Sequence, residues 1–371
     1  KDKSYIDFID KDNLTFLADN SFIWTSELDG FNHIYWYDKT GKLKSQVTKG
    51  RWEVTEYYGF DEKNKTVYYQ STENGSINRD VYKISLDGKN KTRLTQNLGT
   101  NSATFSQNFQ YFVSSFSSAS QPTTYTLNDS KSGKQVQVIE NNEALASKLK
   151  GYDLSQKEFF VLKTEKGNEL NAWILKPKNF DSTKKYPVLM YQYSGPGSQQ
   201  VNNEWNSHDD YWFMMLTQQG YIVACVDGRG TGYKGADFKK VTYKQLGKYE
   251  VEDQIDAAKV IGNYLYVDKS RIGIFGWSYG GFMSSNCILK GNDVFKMAIA
   301  VAPVTNWRFY DSVYTERYMQ TPQENPEGYD NNSPINFVEN LKGKYLLIHG
   351  SSDDNVHVQN SMQMMEALIQ A

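Results

Sequence analysis

The stretch IFGWSYGGFM, residues 274–283, decides how the second half of this chain is read. An apolar run, RIGIF (271–275), leads into Gly276-Trp277-Ser278-Tyr279-Gly280, which fits G-x-S-x-G, and GFMSSNCILK (281–290) can begin a helix at once. A buried strand turning straight into a helix strains the backbone of the serine between them. Glycines two positions to either side relieve the crowding where the chain doubles back. That geometry lifts the Ser278 hydroxyl to the top of a sheet. The competing reading is a glycine-rich turn without chemistry, so the surroundings and the partners of Ser278 matter.

The surroundings are strands of buried type: YPVLMYQYSG (186–195), GYIVACVDGRG (220–230), KMAIAVAPV (296–304) and GKYLLIHGS (343–351). Between them lie helical stretches such as YEVEDQIDAAKVIGNYL (249–265), with apolar residues at helical spacing. Continuous apolar strands alternating with amphipathic helices predict a doubly wound, mostly parallel sheet. Ligands of such sheets bind at the carboxyl ends of the strands. Ahead of the sheet, KEFFVLKTEKGNELNAWILKPKNF (157–180) reads as a hairpin-like pair of strands.

The first 140 residues have a different grammar. HIYWYDKTGKLKSQVTKG (33–50) is echoed by DVYKISLDGKNKTRLTQN (80–97) and more weakly by TTYTLNDSKSGKQVQVIEN (123–141). Each is strand, Asp/Gly turn, strand. Each follows another β-rich run: SFIWTSE, TVYYQSTE and QYFVSSFS. A period of roughly 45 residues is that of a four-stranded propeller blade, which is favoured over a plain antiparallel sandwich. Three blades do not close a ring, so either the ring is open or, the preferred expectation, the chain begins in mid-propeller. The predicted organisation is about three C-terminal blades over 1–145, a polar, helix-prone connector near 141–155, and the doubly wound sheet over 146–371.

The 371 residues carry 41 basic and 43 acidic side chains, a net charge of -2. No block of like charge suggests nucleic acid or a polybasic membrane patch as partner. The longest apolar runs are too short to span a bilayer. Residue 1 is not Met and opens no signal peptide, so a targeting segment is expected to be absent or removed. Cys225 and Cys287 sit in apolar stretches and read as buried thiols. His349 and His357 lie eight residues apart on a strand end and a turn without a Cys or third His nearby, so no metal constellation is read, and no cofactor is expected.

A serine nucleophile needs a base, and the base needs an acid to orient it. In a strand-elbow-helix fold the order is Ser, then Asp or Glu, then His. The strand KYLLIHG ends at SSDDNVH, which offers Asp353 or Asp354 as the acid. The four histidines fit less well. His33 lies in the repeats, His208 in the polar stretch NSHDD is read as exposed, and His349 is read as a hydrogen-bonded structural residue. His357 alone follows Asp353, but four residues on it shares the same turn. The base is therefore expected beyond Ala371, and the chain taken alone is expected to be inert.

Four segments, GWSYGG, DGRGTGY, IHGSSDDNVH and above all VAPVTNWRFYDSVYTERYM (301–319), resemble the dipeptidyl peptidase IV family. These are serine peptidases of the prolyl oligopeptidase clan that join an eight-bladed propeller to an α/β-hydrolase domain. The resemblance covers the whole chain. It implies Ser278 as nucleophile, Asp353 as triad acid, and an oxyanion hole made by the Tyr193 hydroxyl with the backbone N–H of Tyr279. It also implies an S1 pocket walled by Trp307, Tyr310 and Tyr314 and completed by Val304, Tyr279 and Val356, with Asn355 holding a substrate carbonyl. A flat aromatic slot suits a proline ring, which is rigid and brings no N–H that needs a partner.

The implied activity is release of N-terminal dipeptides, Xaa-Pro or Xaa-Ala, through an acyl-enzyme. The family's amine-binding glutamate pair and its histidine both fall outside these residues. The alternatives are a related acylaminoacyl or tripeptidyl peptidase, or a catalytically silent binding protein. The resemblance further implies peptide substrates, a homodimer, and a periplasmic, cell-surface or secreted location.

Overall fold

The structure, a computed structural model, describes residues 3–6, 13–205 and 208–371. Its first part consists of three four-stranded antiparallel sheets in chain order. The first comprises β1 (Thr15–Phe16), β2 (Phe22–Ser26), β3 (His33–Tyr37) and β4 (Leu43–Gln46). The second comprises β5 (Val54–Asp61), β6 (Thr66–Ser71), β7 (Asp80–Ser85) and β8 (Thr92–Arg93). The third comprises β9 (Thr100–Phe105), β10 (Tyr111–Ser118), β11 (Gln121–Asp129) and β12 (Gln135–Glu140). The three sequence repeats are the outer hairpins β3–β4, β7–β8 and β11–β12.

The repeated Asp and Gly have a shared physical role in these hairpins. Asp38, Asp87 and Asp129 accept backbone N–H bonds from Thr40, Lys89 and Ser132 at 2.8, 3.0 and 2.8 Å. Gly41, Gly88 and Gly133 close the turns at φ of +84°, +80° and +74°, a region costly for residues with a Cβ. Strand alternation then glues neighbouring blades together. On β6, Val67 and Tyr69 point into a core shared with Ile23 and Ile34 of the first blade, while Tyr68 points the other way onto Phe112 of the third. These sheets are stacked propeller blades.

Helix α1 (Glu143–Leu149), with no buried residue, lies between the blades and the second part. There β13 (Glu158–Lys163), β14 (Glu169–Leu175), β15 (Tyr186–Tyr191), β16 (Ile222–Asp227), β17 (Val267–Trp277), β18 (Met297–Val301) and β19 (Lys344–Ile348) form one sheet. The order is β13-β14-β16-β15-β17-β18-β19. The β13–β14 and β14–β16 pairs are antiparallel and the other four parallel. Alternate residues of β16 face opposite layers. Ile222, Ala224 and Val226 join a core with α4 (Tyr249–Gly262) and α5 (Tyr279–Lys290), and Val223 and Cys225 join one with α2 (His208–Gln218). This is the doubly wound α/β-hydrolase sheet. Both cysteines are free and buried.

The blades and the sheet meet along a polar seam. Arg79, from the second blade, lies 4.1 Å over the Tyr233 ring and donates to Gln199 Oε1 at 2.6 Å. Asn171 donates to Ser76 Oγ at 2.8 Å, and Glu53 accepts from the Gly235 N–H at 2.8 Å. A cavity of about 760 Å³ opens beside this seam, with Trp24 and Glu53 on the blade side and Pro196, Gly197 and Tyr233 on the sheet side. No helix among the described residues is long and apolar enough to cross a membrane.

Candidate active site

Strand β17 ends at Trp277 and α5 begins at Tyr279, leaving Ser278 alone at the elbow with φ 58° and ψ -115°. An L residue reaches that conformation only when its neighbours force it. Here the Ser278 N–H donates to Val301 O at 2.8 Å, and the Phe282 N–H closes the first turn on Ser278 O at 3.0 Å. The flanking glycines are needed because a Cβ on Gly276 would stand 2.4 Å from Gly280 O, and one on Gly280 would stand 2.5 Å from Gln192 O. Gln192 braces the same turn, donating from Nε2 to Gly280 O at 2.8 Å and to Ser284 Oγ at 3.2 Å. The first N–H groups of α5, that of Tyr279 among them, have no partner within the helix and carry its positive end.

The next residue, Tyr193, leaves β15 past the elbow, with its Cα 3.3 Å from where a Gly280 Cβ would be. Its ring is half-buried with its centroid 6.0 Å from that of Tyr279, and burial pushes its hydroxyl pKa up. Tyr279 is 5.5 Å from Trp307 between ring centroids, Trp307 stacks on Tyr314 at 5.9 Å, and Tyr310 stands edge-on to Tyr314 at 5.4 Å. Five rings thus form one continuous aromatic wall. Local capping sets their spacing: Asn306 Oδ1 accepts from the Arg308 N–H at 3.0 Å, and Asp311 Oδ1 accepts from the Tyr314 N–H at 2.8 Å to start α6 (Ser312–Met319). Val304 and Val356 are buried in the same core.

The acid loop follows β19. Asp353 Oδ1 accepts from the N–H groups of Asn355 and Val356, both at 3.0 Å, whereas Asp354 is exposed. Asn355 in turn accepts from the Tyr310 hydroxyl at 2.8 Å, which joins the loop to the aromatic wall. His349 fills the interior of the loop. Its Nδ1 pairs with Ser361 Oγ and its Nε2 with Val356 O, each at 2.6 Å, and Asp353 Oδ2 lies 3.5 Å from Nε2. Both of its ring nitrogens are therefore occupied, as expected of a structural histidine. The same holds for His33 in the first blade, bonded to Thr48 Oγ1 and Gly50 O. His357 is exposed on the acid loop. The side chain of His208 lies outside the described residues.

The structure thus joins the strained serine, the tyrosine beside it and the aromatic wall, and ties that wall to the anchored aspartate of the acid loop. Residues 207–371 match the model of the prolyl oligopeptidase family, and residues 1–123 that of the dipeptidyl peptidase IV N-terminal region. Residues 207–371 belong to the prolyl oligopeptidase family. Its similarity to the crystal structure of Porphyromonas gingivalis dipeptidyl peptidase 4 has a TM-score of 0.93 at 49% identity, over 98% of this chain and 51% of that one. A putative dipeptidyl aminopeptidase IV from Bacteroides ovatus matches with a TM-score of 0.88 at 31% identity, over 96% of this chain and 53% of that one. Dipeptidyl peptidase 4 of Trichophyton equinum is 39% identical over 355 residues, 94% of this chain and 46% of that protein. The chain spans about half the length of the relatives it matches.

Two residues of this prolyl oligopeptidase-family site escape a reading of the sequence for nucleophiles and pockets. Gln192 lies just past the apolar strand β15 and is buried where it braces the elbow. Glu250 is fully buried behind Tyr279, whose hydroxyl donates to Glu250 Oε1 at 2.7 Å. Burial pushes the Glu250 carboxyl up to about 7 against the lowering effect of its hydrogen bonds. A signal was present: Glu250, Asp253 and Gln254 stand on the same stripe of α4 as the buried Ala257 and Ile261.

Proposed function

We propose that this chain is the nucleophile-bearing part of a serine dipeptidyl peptidase that releases N-terminal dipeptides with proline or alanine in second position. The observation that carries the reading is the strained Ser278 elbow set beside a continuous aromatic wall of Tyr193, Tyr279, Trp307, Tyr310 and Tyr314. Ser278 Oγ attacks the carbonyl carbon of the second residue, and its proton passes to a histidine base. By resemblance to the family that base is assigned to a histidine outside these residues, since His33 and His349 are committed to structural bonds and His357 shares the turn of Asp353. Asp353 orients it. The oxyanion takes hydrogen bonds from the Tyr193 hydroxyl and the Tyr279 N–H, and such preorganised donors are worth several kcal/mol each at the transition state. The C–N bond then breaks, the amine leaves with the proton, and water hydrolyses the acyl-enzyme.

In this reading the proline ring lies in the slot of Trp307, Tyr310 and Tyr314, closed by Val304, Tyr279 and Val356, and Asn355 holds a substrate carbonyl. Peptides are the substrates, the full-length protein is a homodimer, and its location is periplasmic, cell-surface or secreted. These three statements rest on the resemblance to the family.

The test uses the full-length protein with Gly-Pro-arylamide and its N-acetylated form. The expected result is arylamine release from the free-amine substrate alone, abolished by Ser278→Ala and slowed about 10²- to 10³-fold in kcat by Tyr193→Phe. Cleavage of both substrates would replace the reading by an acylaminoacyl peptidase or an oligopeptidase. Cleavage of neither by folded protein would overturn it in favour of another substrate or a silent binding protein.

A further inference from the structure

Glu250 is a carboxylate with no exposed surface, placed where a neutral side chain would cost the fold less. Its two oxygens face two donors. Oε1 accepts from the Tyr279 hydroxyl at 2.7 Å and Oε2 from the Gly247 N–H at 3.1 Å. Among the described residues no cation stands at salt-bridge distance from it. Support comes from the N-terminal turn of α4, where Glu250 is the second residue. Gly247 holds its own place at φ +89°, against the Phe282 ring, so this donor is fixed by packing.

The partner on the other side is the residue that follows Ser278. Tyr279 opens α5, presents its ring centroid 5.5 Å from Trp307 and 6.0 Å from Tyr193, and among the described residues has only Glu250 as acceptor for its hydroxyl. A tyrosine buried among rings could otherwise tilt, since stacking alone sets no unique angle. Tilting would move the wall of the slot, and through Cα it would move the N–H that begins α5. We propose that Glu250 is a positioning residue, clamping the Tyr279 hydroxyl from behind so that ring and N–H are both held for a proline-bearing substrate. A carboxylate serves here and an amide does not, because one amide oxygen cannot take the place of two acceptor oxygens facing different donors. The proposal deepens the peptidase reading and rests on it.

The experiment compares Glu250→Gln, Tyr279→Phe and the double variant in the full-length protein. Active sites are counted by covalent titration with a fluorophosphonate, so that misfolded molecules drop out. For Gly-Pro-arylamide, kcat/KM per titrated site is expected to fall about tenfold in either single variant, the loss of roughly one hydrogen bond's worth of transition-state positioning. Gly-Ala-arylamide touches less of the slot and is expected to lose only about two- to threefold, so proline-over-alanine selectivity narrows. The double variant is expected to be no worse than either single one, because both remove the same contact. Selectivity unchanged with kcat/KM within twofold of the parent, or losses that multiply in the double variant, would overturn the proposal.

If Glu250→Gln does not fold, Tyr279→Phe carries the selectivity test by itself, since it removes only the hydroxyl. If the parent protein cleaves neither arylamide, it is the peptidase reading that has failed. The clamp is then read from the rate of phosphonylation of Ser278, expected to slow about tenfold in Tyr279→Phe. An unchanged rate would overturn it.

Discussion

The elbow at Ser278 makes a prediction about stability that is independent of any substrate. At φ 58° and ψ -115°, Ser278 sits where an L residue is strained by about 1–3 kcal/mol, while glycine occupies the mirror region freely. Ser278→Gly therefore relieves the strain, offset by about 0.5–1 kcal/mol for the greater freedom of glycine in the unfolded chain. Ser278→Ala keeps the Cβ and with it the strain, losing only a half-buried hydroxyl. The glycine variant is thus expected to exceed the alanine variant by about 0.5–2 kcal/mol, a few degrees in the melting temperature of the hydrolase part at 2–4 °C per kcal/mol. The comparison between the two variants is the informative one, because both lack the serine hydroxyl. Thermal melts followed by tryptophan fluorescence, repeated with urea titration at fixed temperature, measure it. A glycine variant equal to or less stable than the alanine variant would refute the claim that packing around Gly276 and Gly280 forces the serine into an unfavourable backbone state.

Other consequences follow from groups outside the elbow. Asp227, fully buried at the end of β16, accepts from the Gln200 and Val201 N–H groups, yet burial pushes its carboxyl up from 3.8 to about 7. The native state therefore holds an extra proton between about pH 4 and 7, and this group's contribution lowers stability as pH rises through that window. Asp227→Asn is expected to flatten that slope, read as the difference in urea midpoint between pH 5 and pH 7.5. An unchanged slope would mean that Asp227 is not the source. At the seam, Arg79→Met removes the guanidinium from the Tyr233 ring and its bonds to Ser76 O, Asn78 O and Gln199. The coupling of blades to hydrolase is expected to weaken by about 1–3 kcal/mol, appearing as separated unfolding transitions in calorimetry, and Arg79→Lys is expected not to restore it because it cannot stack a planar fork.

Much of the architecture was legible in one dimension because its causes are local. The Asp/Gly hairpins are decided by turn chemistry within five residues, so three repeats announced three blades before any contact was known. The strand-elbow-helix reading of 271–290 likewise depends on glycine spacing and apolar runs, and residues 267–290 fold as β17, Ser278 and α5. What the sequence could not decide is which distant groups share a site. Asp353 and Asp354 are equivalent as letters, and only the loop around His349 turns one inward and leaves the other in water. Gln192 and Glu250 look like ordinary polar residues until packing brings them against Gly280 and Tyr279, 88 and 29 positions away. Period and turn chemistry are properties of neighbours in the chain, whereas burial of a carboxylate and closure of an aromatic wall exist only when separate elements meet.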